Sequence, residues 1–143
     1  MERYGKPSAK IKRPKMNIEH LAIWVRDLES SRSFYETYFD AKAGEKYHNP
    51  TKSFSSYFLS FASGPRLELM HRPDIGKLLG EGQEVLGITH FAIQVGSQKN
   101  VDELTDRLKT DGFTVVGKPR TTGDGYYESV VLDLEGNRIE ITA

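Results

Sequence analysis

The sequence predicts an α+β domain made of two βαβββ modules that together form a concave mixed sheet. Two observations carry that prediction. The segment from Met16, MNIEHLAIWVRDLESSRSFYETYF, and the segment from Leu86, LGITHFAIQVGSQKNVDELTDRL, share the pattern I-x-H-x-A-I-x-V followed by a polar turn and a helical stretch, with His20 and His90 70 residues apart. Each half also closes on a strand that sets a glutamate between apolar neighbours, Arg66-Leu67-Glu68-Leu69 and Arg138-Ile139-Glu140-Ile141, and these glutamates are 72 residues apart. Two landmarks repeating at nearly one period mark an internal duplication, which fixes architecture before any single motif does.

Strand alternation in the first segment puts Leu21, Ile23 and Val25 on one face and Ile18, His20, Ala22 and Trp24 on the other. The second segment copies it, with Phe91, Ile93 and Val95 opposite Ile88, His90, Ala92 and Gln94. The first helix opens at Asp27 and carries Leu28, Ser31, Phe34, Tyr35 and Tyr38 at helical spacing. In the second half Asn100 and Glu103 have the spacing of an N-cap and its partner, Val101, Leu104 and Leu108 form the stripe, and Gly112 is the expected stop. Short β-rich segments follow each helix, at about 42–48, 53–61 and 66–71, then about 113–118, 126–132 and 137–142. The expected organisation is thus a basic flexible tail over 1–15, one module over 16–71, a linker over 72–84 with a short helix around Ile75 to Leu79, and a second module over 85–143.

Composition bounds the function. A chain of 143 residues, 37% hydrophobic and 28% charged, fits one globular domain. No apolar run approaches the roughly 18 to 20 residues that span a bilayer, and the N-terminus lacks a signal-peptide core, so no membrane role and a cytoplasmic location are expected. The formal charge is zero, but the tail holds six basic residues (Arg3, Lys6, Lys10, Lys12, Arg13, Lys15) against Glu2. The remainder is acidic, which argues against nucleic acid as a partner. Cysteine is absent, so any metal must be held by His, Asp or Glu.

The helix-covered faces are filled by Leu, Ile, Val and Phe, which leaves His20, Glu68, His90 and Glu140 on the concave face. Two imidazoles and two carboxylates suit one divalent ion such as Zn²⁺, Ni²⁺, Co²⁺, Mn²⁺ or Fe²⁺, with positions left for water or substrate oxygens. A polar residue alternating with apolar ones is more often just the wet side of a strand. The recurrence of both residue types in both halves, among Ile18, Ala22, Trp24, Met70, Ile88 and Ala92, favours the metal.

These residues carry a resemblance. H-x-A-I-x-V at His20 and His90, the closing segment from Val131 to Glu140 with its D-x-x-G-x-x-I-E spacing, and the paired modules resemble the vicinal-oxygen-chelate superfamily of glyoxalase I, bleomycin-resistance proteins, fosfomycin-resistance enzymes, epimerases and extradiol dioxygenases. The resemblance covers residues 16–143. It implies the glyoxalase/bleomycin-resistance fold, a homodimer and a small-molecule substrate, and with both glutamates filled it points to the glyoxalase I and epimerase branches. A metal-dependent lyase or isomerase for a small vicinal-oxygen substrate is then expected, with Glu140 and Glu68 shuttling a proton. The positions that contact glutathione in glutathione-dependent members hold Trp24 and Arg72, so strict glutathione dependence is not expected. The alternatives are a metal-free sequestering protein of the bleomycin-resistance type and a ring-cleaving dioxygenase. Trp24, Tyr57, Met70, Arg120, Tyr126 and Tyr127 are the expected substrate-binding residues, with the loop from Thr121 to Tyr127 closing over the cavity.

Overall fold

The computed structural model describes residues 14–76, 84 and 86–143. The first half runs β1 (His20–Trp24), α1 (Leu28–Phe39), β2 (Lys42–Ala43), β3 (Tyr47–Asn49), β4 (Phe54–Ser60) and β5 (Arg66–His71). The second runs β6 (His90–Gln94), α2 (Gln98–Thr110), β7 (Val115–Thr121), β8 (Tyr127–Leu132) and β9 (Arg138–Thr142). The duplicated βαβββ plan is therefore present, with one strand of the first half split into β2 and β3. Pro14 and Lys15 are exposed and irregular. The rest of the expected tail, and the expected helix beyond Gly76, lie outside the described residues; Ile75 and Gly76 are not helical.

Each half forms its own mixed sheet, ordered β1-β5-β4-β2 with β3 also on β4, and β6-β9-β8-β7. In both, the opening strand pairs in parallel with the closing one, which requires the intervening helix to cross over the sheet. Leu67, Leu69, Ile139 and Ile141 alternate onto the helix side and are buried, as are Leu59 and Val131 on the neighbouring strands. Strands β1 and β6 are the edges where the two sheets adjoin, and Ala22 and His90 both line the narrow cleft between them.

Helix α1 opens as its sequence implies, with the Asp27 carboxylate accepting from the Ser30 amide at 2.9 Å. Helix α2 differs from expectation. It is capped by Ser97, whose backbone is extended and whose hydroxyl accepts from the Asn100 amide at 3.1 Å, while the Asn100 side chain donates to the Val95 carbonyl at 2.7 Å. Ser97→Ala is expected to cost about 1 kcal/mol, to be read as a lowered urea midpoint with an unchanged slope.

Helix α1 also serves the second half. Phe34 packs on Phe113 with ring centres 5.0 Å apart, the buried Tyr35 hydroxyl donates to Asp133 at 2.7 Å, and the Tyr38 hydroxyl donates to Asp111 at 2.6 Å. From the end of β1, the Arg26 amide donates to Glu135 at 2.7 Å. In return, Arg107 of α2 lies over the Tyr38 ring. An open cleft of about 1230 Å³ also lies between the halves, bordered by Leu21, Phe61, Ile93 and Leu104. Among the described residues no helix is long and apolar enough to cross a membrane.

Candidate metal centre

Parity along the strands decides which side chains can meet. His20 and His90 open β1 and β6, and Glu68 and Glu140 sit at the middle of the parallel partner strands, in register with Ala22 and Ala92. The offset is the same in both halves. As a result the His20 Nε2 faces Glu68 Oε1 at 3.7 Å, and the His90 Nε2 faces Glu140 Oε1 at 3.0 Å. Each imidazole is 40% exposed while Glu68 and Glu140 are 14% and 20% exposed, so the glutamates are seated in the sheet and the imidazoles open outward.

The couples differ in what holds them. The His20 Nδ1 is paired with the Glu19 carboxylate, which also takes the guanidinium of Arg66. Because a carboxylate only accepts, this pairing places a proton on Nδ1 and leaves the Nε2 lone pair available to ligate a metal ion. The hydrogen bond from His20, followed by Arg66, holds the Glu19 carboxyl below its ordinary value. In the second half the place of Glu19 is taken by Thr89, and the distinctive neighbour is Glu128 on β8. Burial first, then the charge of Glu140 and a hydrogen bond to it, push the Glu128 carboxyl above its ordinary value, against a lowering effect of His90. Beside it the Thr142 hydroxyl is buried without a partner.

The other expected site residues divide by parity. Trp24 and Met70 are cross-strand partners on the His20 face, and the Trp24 ring, 40% exposed, meets Phe54 edge to face at 6.2 Å. Arg120 is exposed and directly opposite Glu128, and the Tyr126 side chain is exposed at the β7–β8 turn. Tyr57 does not line this face. It pairs with Leu69, and its hydroxyl donates to Glu29 of α1 at 2.8 Å, so it belongs to the helix side. Tyr127 likewise turns to α2, where its hydroxyl donates to Asp102. In Tyr57's stead the face carries Phe54 and Phe58, the latter in register with Glu68 and edge-on to the His20 ring at 5.2 Å.

The donor set, two imidazoles and two carboxylates beside one seam, fits a divalent ion of the first transition row. Among the described residues each half gathers a pair, and no group of three or more His, Asp or Glu side chains is close enough to hold an ion.

Comparison with known proteins decides the family. Residues 17–141, spanning both halves, match the Glyoxalase/Bleomycin resistance protein/Dioxygenase superfamily. The chain belongs to that superfamily. The uncharacterized protein YqjT of Bacillus subtilis (strain 168) is 25% identical over 135 residues, covering 88% of this chain and 98% of its own. The fold of a glyoxalase family protein from Enterococcus faecalis superposes with a TM-score of 0.72 at 20% identity, over 88% of this chain and 96% of that one. The trypanothione-dependent glyoxalase I of Leishmania major superposes with a TM-score of 0.69 at 23% identity, over 90% and 86%. At these identities the superpositions establish that the duplicated module is the superfamily fold.

Proposed function

We propose that this superfamily member is a metal-dependent lyase or isomerase for a small molecule with neighbouring oxygens, holding one divalent ion through His20, Glu68, His90 and Glu140. The observation that carries the reading is the repeated couple: in each half a histidine Nε2 is turned onto a seated glutamate oxygen, at 3.7 and 3.0 Å. When bound, such an ion acts as a Lewis acid toward a carbonyl oxygen, which acidifies the adjacent C–H bond. The chain's own part is proton movement and placement. Glu140 or Glu68 takes the proton from one carbon and returns it to the next, and Glu19 fixes the tautomer of His20. Arg120, Trp24, Met70 and Tyr126 are the residues proposed to meet substrate.

Glutathione is not proposed as an obligatory partner. Arg72 is clamped by Asp74 through Nε at 3.0 Å and Nη2 at 2.7 Å, and it lies over Trp24. A cytoplasmic homodimer belongs to the same proposal, supported by the exposed apolar side chains of Met16, Ile18, Leu86 and Ile88, which precede β1 and β6.

Calorimetric titration of metal-stripped protein with Zn²⁺ or Ni²⁺ tests the reading. One ion per four-residue site is expected at micromolar or tighter affinity, with His90→Ala weakening it by about 100-fold or more. A metal-free binding protein of the bleomycin-resistance type is the second reading, favoured by the pairwise gathering of donors. It takes precedence if wild-type protein binds neither ion.

A further inference from the structure

The two halves repeat their His and Glu positions but not what lies next to them. One step further along the strands, the first half presents Trp24 and its partner Met70, with Phe54 edge-on to Trp24 at 6.2 Å and Tyr47 tilted against Phe54 at 6.0 Å. The register-equivalent places in the second half hold Gln94 and Thr142, with Glu128 where the first half has Ser56. One side of the seam is therefore aromatic and the other polar. Trp24 and Tyr47 are 40% and 54% exposed, which leaves aromatic surface for a guest.

From this asymmetry we infer that the substrate carries an uncharged aryl group, which stacks on the Trp24–Phe54 pair while its neighbouring oxygens reach toward the His/Glu couples. The inference rests on the reading of those couples as the reaction centre. Spacing supports it: same-face residues on a strand are about 7 Å apart, so the Trp24–Met70 line lies about that far beyond the Ala22–Glu68 line. An aryl ring joined through one or two carbons to an oxygen-bearing carbon spans such a gap. Charge supports the uncharged form, because the guanidinium over Trp24 is already matched by Asp74 through two hydrogen bonds. Edge-to-face and stacked contacts with two rings add discrimination beyond simple burial.

Trp24 is the sole tryptophan of the sequence, so its emission reports the subsite directly. The experiment compares 3-phenyllactate with lactate on the full chain loaded with Zn²⁺, which does not itself absorb or quench, and on metal-stripped His90→Ala. Phenyllactate is expected to bind at least about 10-fold more tightly than lactate by calorimetry and to shift Trp24 emission. Phe54→Leu, with Phe54→Ala as a second variant, is expected to shrink the preference for phenyllactate over lactate below about threefold. Equal affinities, an absence of binding by both acids, or phenyllactate binding that leaves Trp24 emission unmoved overturns the inference. If zinc binds and the aryl preference is absent, the subsite falls and the metal reading stands. Should wild-type protein bind no zinc while the preference persists in the metal-free arm, the subsite stands and the metal reading falls.

Discussion

Asp133→Ala is expected to destabilise the fold by about 3 kcal/mol or more, lowering the melting temperature by roughly 10 °C. Asp133 is buried and its two oxygens accept four hydrogen bonds: Oδ1 from the amides of Glu135 and Asn137 at 2.9 and 2.8 Å, and Oδ2 from the Tyr35 hydroxyl at 2.7 Å and the Asn137 side chain at 3.0 Å. Removing it strands a buried tyrosine hydroxyl and loosens the turn that carries Glu135 to the end of β1. Tyr35→Phe removes only one of the four and is expected to cost about 1 to 2 kcal/mol. Both are read by urea denaturation, and a loss below about 1 kcal/mol for Asp133→Ala would show that this turn is not what joins the halves.

The same contact has a pH signature. Burial, and then the charge and hydrogen bond of Asp133, push the Tyr35 hydroxyl well above its ordinary value of 10.0. A group whose folded value is raised contributes its full stability below the unfolded value and loses it as pH rises through the folded one. Stability should therefore decline above about pH 10, and the Tyr35→Phe variant should show a shallower decline.

Glu140→Gln is expected to slow proton abstraction by about 10²- to 10⁴-fold. The measurement is exchange of carbon-bound hydrogen for deuterium in an α-hydroxyketone such as hydroxyacetone, followed by NMR on metal-loaded protein. Because Glu140 is proposed both to hold the ion and to move the proton, Zn²⁺ affinity is measured beside the exchange rate. Exchange lost at saturating metal assigns the proton to Glu140. Exchange that falls only in step with metal affinity, or that is unchanged, rejects Glu140 as the base and shifts the role to Glu68, for which Glu68→Gln is the matching variant.

How far the site could be read from sequence depended on where alternation was unambiguous. In β1 and β6 large apolar side chains fill one parity and the histidines sit on the other, so the faces of His20 and His90 followed directly. The stretch FSSYFLS is different. It has bulky residues on both parities, Phe54 and Phe58 on one and Tyr57 and Leu59 on the other, and only the cross-strand register of Phe58 with Glu68 selects between them. Tyr126 and Tyr127 posed the same problem, and the register of Glu128 with Thr142 resolves it by turning Tyr127 to the helix. Glu19 and Glu128 were missed for another reason: Glu19 bridges the adjacent His20 to the distant Arg66, and Glu128 meets Glu140 only through the pairing of β8 with β9. An acid directly before a proposed ligand histidine was the available signal for Glu19. The second helix start was misplaced because Ser97 and Asn100 are both good capping residues, and the extended backbone at Ser97 decides between them.

The strut made by α1 has a consequence for how the chain comes off the ribosome. Tyr35 meets an oxygen 98 residues later in the chain, and Phe34 and Tyr38, which touch each other within α1, gain further partners in the second half. At ordinary synthesis speeds of about 5 to 20 residues per second, the nascent first half waits about 4 to 20 seconds for these second-half partners. A truncated or stalled product would end without those partners, a ready target for chaperones or for another unfinished copy.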